Sequence, residues 1–405
     1  MFFDALFRNP APLHNPMGFG LTDFVELGAA ALLTGLFIVW RRWIPALRRK
    51  LPSMPAVWML AFGILPVGLR LLLLGRHPAP APDIYDEFGH LLVADTLRHW
   101  RFANPPHVLH QFFETFFVLQ SPTYSSIYPI GNGLAMALGW AAFGLPWAGV
   151  LAGVAAFCAL CYWMLRGWTT PGWAALGGLF AVMEFGPLCP WTSSYWGGAL
   201  AAAAGCLVFG ALPRLRAYGR MRDGMLLGAG VALHLLIRPY ESVFMAMSVL
   251  LFLLPGIRTA RLVRPLGAAL LVVLPSIAVT LLQNERVTGE WTRLPYSLSQ
   301  YQYGVPAALT FQHTPVPHVP LTPQQQLDYR MQSAFHPGPE TFGSYFSRLF
   351  FRMRYYRFYF YAPLYVALVF FVAGIRSYRS AWVAGTCLLF AAGTNFFPAF
   401  QYHYM

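Results

Sequence analysis

The stretch PDIYDEFGHLLVADTLRHW, from Pro82 to Trp100, concentrates groups that can move protons or hold ions. Asp83, Asp86, Glu87 and Asp95 supply carboxylates, and His90 and His99 supply imidazoles. Five of the 15 acids in the chain lie between Asp83 and Glu114. One reading is structural. Asp83 is a good helix N-cap, and Asp86 stands three residues later, where a capping box places its acid. The helix dipole favours acids in a first turn, and Asp23 and Glu26 in TDFVE repeat the device. Phe88, Leu91, Leu92 and Leu97 then form the apolar face of a surface helix. The other reading is chemical. Asp86 and Glu87 are adjacent, so they point about 100° apart and cannot both serve one cap. The free acid can face a cavity and mark a functional site, as ionisable residues at membrane depth do. His90 follows one turn later, and Asp-Glu-x-x-His spacing offers ligands for a divalent metal. A second ligand set is not evident, so no metal residue is assigned and no cofactor is certain. His107 and Glu114 lie further along the same segment, as further candidates for a site in this loop.

A second constellation is HLLIRPYES, where Arg238, Pro239, Tyr240 and Glu241 interrupt two apolar runs. The structural reading is an Arg238–Glu241 ion pair at a tight turn, with Pro239 opening the next helix. The chemical reading is a guanidinium that grips a phosphate. Glu184 and SSYWGG at 193–198 belong near the same face. Tyr195 and Trp196 fit either an interfacial aromatic belt or a sugar-stacking platform.

The elements that must position these residues are membrane helices. Of 405 residues, 57% are hydrophobic and 11% charged, and the mean hydropathy is +0.50. A soluble domain carries about 25% charged residues. The formal charge of +13 comes almost wholly from Arg in short clusters between apolar runs, the pattern of cytoplasmic loops and not of a nucleic-acid groove. Spans are expected at about Thr22–Trp40, Pro55–Leu74, Trp147–Leu165, Trp173–Pro187, Gly198–Leu212, Met225–Ile237, Ser242–Leu254, Leu266–Leu282, Phe360–Ala373 and Trp382–Pro398. Gly131–Phe143 is read as a helix lying on the outer surface, because a further span there would put Arg166 and Arg214–Arg222 outside. The expected fold is all-α: one polytopic domain over 1–405, with about ten spans and large outer loops at 76–146 and 284–356. The second loop should hold a short helix opened by a Thr322–Gln325 capping box. Cys158 and Cys161 form a CxxC inside an apolar run and are read as helix packing. The N-terminus lacks the build of a signal peptide. The chain stops at FQYHYM directly after an apolar run, so a C-terminally shortened copy is expected.

The order of pieces resembles the GT-C superfamily of membrane glycosyltransferases, nearest its protein O-mannosyltransferase and aminoarabinose-transferase branch. The resemblance rests on the Asp86-Glu87 pair after a membrane helix, then ADTLRHWRFANPP, then YPIGNG with Tyr128, supported by SYWGG and RPYE. It runs from about Pro55 onward, and it departs at Ile130, where the family pattern has a second proline. The resemblance implies a GT-C-like bundle with interfacial helices in the first outer loop. It also implies a polyprenyl-phosphate sugar donor, a lipid, glycan or protein acceptor, and inverting transfer at the periplasmic face of a bacterial inner membrane. Carried over, Asp86 is the general base and Glu87 orients the acceptor. Arg238 meets the leaving lipid phosphate, with Tyr240, Glu241, Tyr128, Tyr195 and Trp196 on the donor side and His90, His107 and Glu114 toward the acceptor. Membrane lipid is the expected surrounding partner, and nucleic acid is not. The alternative is a transporter or lipid flippase. It would show paired broken helices in two related halves, with charges near the bilayer midplane.

Overall fold

The computed structural model describes residues 20–40, 54–112, 117–256, 260–334, 336, 338–353 and 362–398. Glu114, the Arg41–Lys50 cluster, Arg258 and the terminal FQYHYM lie outside these residues. The chain groups into two compact units, one of Met1–Leu51 with Pro339–Met405 and one of Pro52–Gly338.

The first unit holds α1 (Leu21–Trp40). Asp23 sits in its first turn and accepts the Gly20 N–H at 2.8 Å, so the expected acidic start is present.

The larger unit is a bundle. Its elements in order are α2 (Pro55–Leu72), α3 (Tyr85–Arg98), β1 (Val118–Leu119), β2 (Ser125–Ser126), α4 (Ile130–Phe143), α5 (Trp147–Leu165), α6 (Pro171–Phe185) and α7 (Gly198–Tyr218). After these come α8 (Met221–Ile237), α9 (Pro239–Leu253), α10 (Ala260–Thr288), α11 (Pro295–Tyr303) and α12 (Pro323–Ala334). The remaining helices, α13 (Phe342–Met353), α14 (Ala362–Ala373) and α15 (Tyr378–Thr394), return to the first unit, where α14 packs on α1.

Helices α2, α5, α7, α8 and α10 pack each on the next. Phe62, Val154, Cys158, Tyr162, Val182 and Cys206 fill the core between α2, α5, α6 and α7. The CxxC thiols are free, and Cys158 is wholly buried in that core. Proline stands at the first turn of α2, α6, α9 and α11, where its missing N–H has no helical partner to lose.

Among the described residues the regular structure is helical apart from one two-residue antiparallel pair, Val118 opposite Ser126 and Leu119 opposite Ser125, and an isolated bridge between Asn104 and Tyr124. Among the described residues, four helices are long and apolar enough to cross a membrane: α2, α5, α7 and most of α10. Ten had been expected. The other apolar helices found by that measure, α4, α9 and residues 364–373, are shorter. Several helices overrun the apolar limits that marked them. Helix α7 continues through Arg214 and Arg216, and α10 continues to Thr288.

The segment 284–356, expected as the second outer loop, holds more helix than expected. It carries α11 and α13 as well as the expected α12. The Thr322–Gln325 box is formed, with Gln325 N–H to Thr322 Oγ1 at 3.3 Å and Thr322 N–H to Gln325 Oε1 at 3.0 Å.

Candidate functional site

The site is built on the first turns of α3. The helix starts one residue later than a cap at Asp83 would have it. Ile84 is the N-cap, in extended backbone, and Glu87 is the third helical residue. Glu87 therefore takes the capping role expected of Asp86. Its Oε2 accepts the N–H of Asp83 at 2.7 Å and that of Ile84 at 3.4 Å, and its Oε1 accepts the N–H of Tyr195 at 2.8 Å. The side chain is buried and both oxygens are engaged. That is a fastening role, because such an acid has little capacity left to orient a substrate.

Tyr195 is held on every side. Its carbonyl accepts Asn132 Nδ2 at 2.9 Å and its hydroxyl donates to Pro80 O at 2.9 Å. The ring is buried. The Tyr195 turn thus joins the α2–α3 connection, α3 and the first turn of α4. Trp196 beside it is half-buried.

Asp86, turned away from the cap, meets Tyr128. The Tyr128 hydroxyl donates to Asp86 Oδ1. Tyr128 precedes α4 and is fixed on three further sides. Its N–H donates to Ser126 Oγ at 3.2 Å, and its carbonyl accepts Gln283 Nε2 of α10 at 3.0 Å. Its ring stacks on His90 at 4.2 Å between centroids. This approach needs Gly89, because a Cβ there would come within 2.8 Å of the Tyr128 ring. A shallow recess beside Tyr128 is lined by Val93, Thr96, Arg101, Ser126, Ile130 and Gln283.

Arg238 joins this group because α4 begins against the end of α8. A Cβ on Gly131 would lie 2.5 Å from Ile237 Cγ1 and 2.7 Å from Leu236 O, so only glycine permits the crossing. Arg238 is both the last cap of α8 and the first cap of α9, with φ −136° and ψ 72°. Its guanidinium stands 3.5 Å from Glu241, the ion pair expected at this turn, and both side chains are mostly covered. It also acts electrostatically on Asp86 and His90. The structure therefore brings Asp86, His90 and Tyr128 into contact, with Arg238 within electrostatic reach of Asp86 and His90.

The electrostatics follow from burial. Burial pushes the Asp86 carboxyl above its ordinary range. The Tyr128 hydrogen bond and Arg238 oppose that rise, and Glu87 adds to it. Burial and then Arg238 hold the His90 imidazole down to about 3, so His90 is neutral at physiological pH. Its Nδ1 is buried with no hydrogen-bond partner.

Other expected residues fall elsewhere. His107 is exposed, and its Nδ1 accepts the Leu109 N–H at 3.1 Å in a surface turn. Tyr240 packs edge-on against Phe244 of its own helix at 5.1 Å. Among the described residues, no group of three or more His, Cys, Asp or Glu is placed to hold a metal ion. For Asp-Glu-x-x-His the reason is visible, since Glu87 is already engaged by three backbone N–H groups.

One participant was missed. His234 is buried four residues before Arg238, with Nδ1 2.7 Å from Ser242 Oγ. Ser242 Oγ donates to Arg238 O at 2.8 Å, so this pair braces the helix break from which Arg238 projects. A hydroxyl has one proton, and here the Arg238 carbonyl takes it. Nδ1 of His234 is then the donor to Ser242. The signal available in the sequence was its place one turn before Arg238 in HLLIRPYES.

Comparison of the chain with protein-family models, curated proteins and solved structures finds no match in any of the three.

Proposed function

We propose that the chain is a membrane glycosyltransferase that moves a sugar from a polyprenyl-phosphate donor to an acceptor hydroxyl at the outer boundary of a bacterial inner membrane. One observation carries the reading: a buried carboxylate that does not cap its helix, held by a tyrosine hydroxyl and within the field of an arginine at a helix break. Tyr128 engages Oδ1 of Asp86, which leaves proton abstraction to Oδ2. Asp86 takes the acceptor's proton as the acceptor oxygen forms its bond to the anomeric carbon. The bond from that carbon to the phosphate oxygen breaks from the opposite face, and the configuration inverts. The electron pair leaves on the lipid phosphate, and Arg238 stabilises it with a charge that does not titrate away. A raised carboxylate pKa makes Asp86 a better base near neutral pH. Glu87 holds the start of α3 so that Asp86 keeps its direction.

The test uses the full chain in proteoliposomes. Radiolabelled polyprenyl-phosphate sugars are offered in turn, with total membrane lipid as acceptor and the release of free polyprenyl phosphate as readout. Wild type should release it. Asp86→Asn, at equal abundance and melting temperature, should lose roughly 10²- to 10⁴-fold, the usual worth of a positioned general base. Release that survives Asp86→Asn removes Asp86 as base. Movement of the intact sugar lipid between leaflets, without cleavage, supports a flippase instead.

A further inference from the structure

Helix α13 has two unlike faces. Phe342, Phe346 and Phe350 recur every fourth residue, which places them within about 80° of arc. They are 88%, 50% and 63% exposed. The opposite face is fastened to the C-terminal end of α15. Tyr345 donates its hydroxyl to Ala392 O at 2.9 Å. Arg348 Nε donates to Asn395 O at 2.6 Å, and Arg352 donates to Thr394 O at 2.6 Å and to Phe397 O. Asn395 Nδ2 returns a bond to Tyr345 O at 2.9 Å. The last carbonyls of a helix have no intrahelical donors, and here two guanidinium groups supply them.

That fastening fixes where α13 lies. Helix α15 covers most of the run expected from the sequence to span at about Trp382–Pro398, and on that expectation its carbonyl end belongs at the bilayer boundary. Helix α13 has 12 residues, about 18 Å of helix, against a hydrocarbon core of about 30 Å, so it cannot cross. Its cations are turned toward the α15 carbonyls and Glu340, and its aromatic stripe is turned away from them. Gly343, Ser347, Phe351 and Ser344 make up the other exposed side, so that side is mixed, with Phe351 between the two serines. Helices α14 and α15 present Val369, Phe370 and Leu388 outward in the same unit, the kind of surface that a bilayer covers.

We infer that α13 is an interfacial anchor, lying in the plane of the bilayer at the end of α15 with Phe342, Phe346 and Phe350 in the headgroup–acyl boundary. The inference rests on α15 crossing the membrane and not on the proposed chemistry. Photocrosslinking tests it. The full chain carries p-benzoylphenylalanine at one position at a time, 342, 346, 350 or 347, in vesicles of phosphatidylethanolamine and phosphatidylglycerol. All four positions are exposed, so folding should survive, and an unchanged melting temperature checks that it does. Phospholipid adducts at 342, 346 and 350 should exceed those at 347 several-fold. Adducts to this chain or to a second copy at the three Phe positions would overturn the anchor. Equally low lipid labelling at all four positions would also overturn it and place the stripe in water.

Discussion

At the residue scale, the proposed chemistry turns on a carboxylate whose ionisation is opposed by its surroundings. Asp86 acts as a base only when it is deprotonated, and burial raises its pKa. Activity should therefore fall as pH drops through a value above the ordinary carboxylate range, and a kcat/KM profile would show that acid limb. The residual rate of Asp86→Asn should lack it. The stability sign is opposite. A carboxyl that holds its proton more tightly when folded favours the fold most below its unfolded pKa, and that favour is lost as pH rises through the folded pKa. Asp86→Asn should then lose activity at neutral pH with no fall in stability from the lost charge. Arg238 makes a different demand. Arg238→Lys keeps a positive charge but loses the planar fork, so donor turnover should drop by roughly 10²-fold, read as a lower kcat with the fold intact. His90 was legible as a member of this group from its spacing to Asp86. His234 was not, because a single histidine within an apolar run looks the same whether it fills a core or braces a neighbour.

At the element scale, the start of α3 decides which acid is which. A cap at Asp83 would have made Asp86 the reciprocal acid. The helix begins after Ile84 instead, and the third position falls on Glu87. The reason lies in tertiary structure, since Glu87 also accepts the N–H of Tyr195, 108 residues away. A local motif cannot reveal a choice made by so distant a partner. Glu87→Gln keeps the shape but gives up the charge, and its amide would point N–H at N–H on one side. Each charge-assisted bond is worth about 1.5–3 kcal/mol, so a loss of that order should appear as a lower melting temperature. Little change on melting would mean that the Tyr195 turn is held by Asn132 and Pro80 alone. Helix ends were hard to read for a related reason. Apolar length marks where lipid or core ends, whereas the hydrogen-bonded spiral of α7 runs on through Arg214 and Arg216. The short helix α11 had no apolar length to mark it at all.

At the scale of the whole molecule, composition was the most informative signal. Few charges, Arg-rich connections and long apolar runs point to an all-α membrane protein, and among the described residues four helices have the length and character to span. The chain should remain in the membrane pellet through an alkaline carbonate wash and leave it only with detergent. Release by carbonate alone would contradict membrane insertion. Arg238 was joined to Asp86 in the sequence only through the family resemblance and not by the residues themselves, because its reach to Asp86 depends on how closely α4 approaches α8. That distance is set by one missing methyl group at Gly131.

The side-by-side acids of α3 have a consequence for any comprehensive substitution survey of this protein. Two maps would be recorded, one of how much protein accumulates and one of what it accomplishes in the cell. Position 87 should be among the least permissive in the first map, because a replacement without a carboxylate leaves at least one of three buried backbone donors without its acceptor. Position 86 should look forgiving in the first map and intolerant in the second. Neighbours that share a charge and a peptide bond would then separate cleanly, one a matter of supply and the other a matter of use.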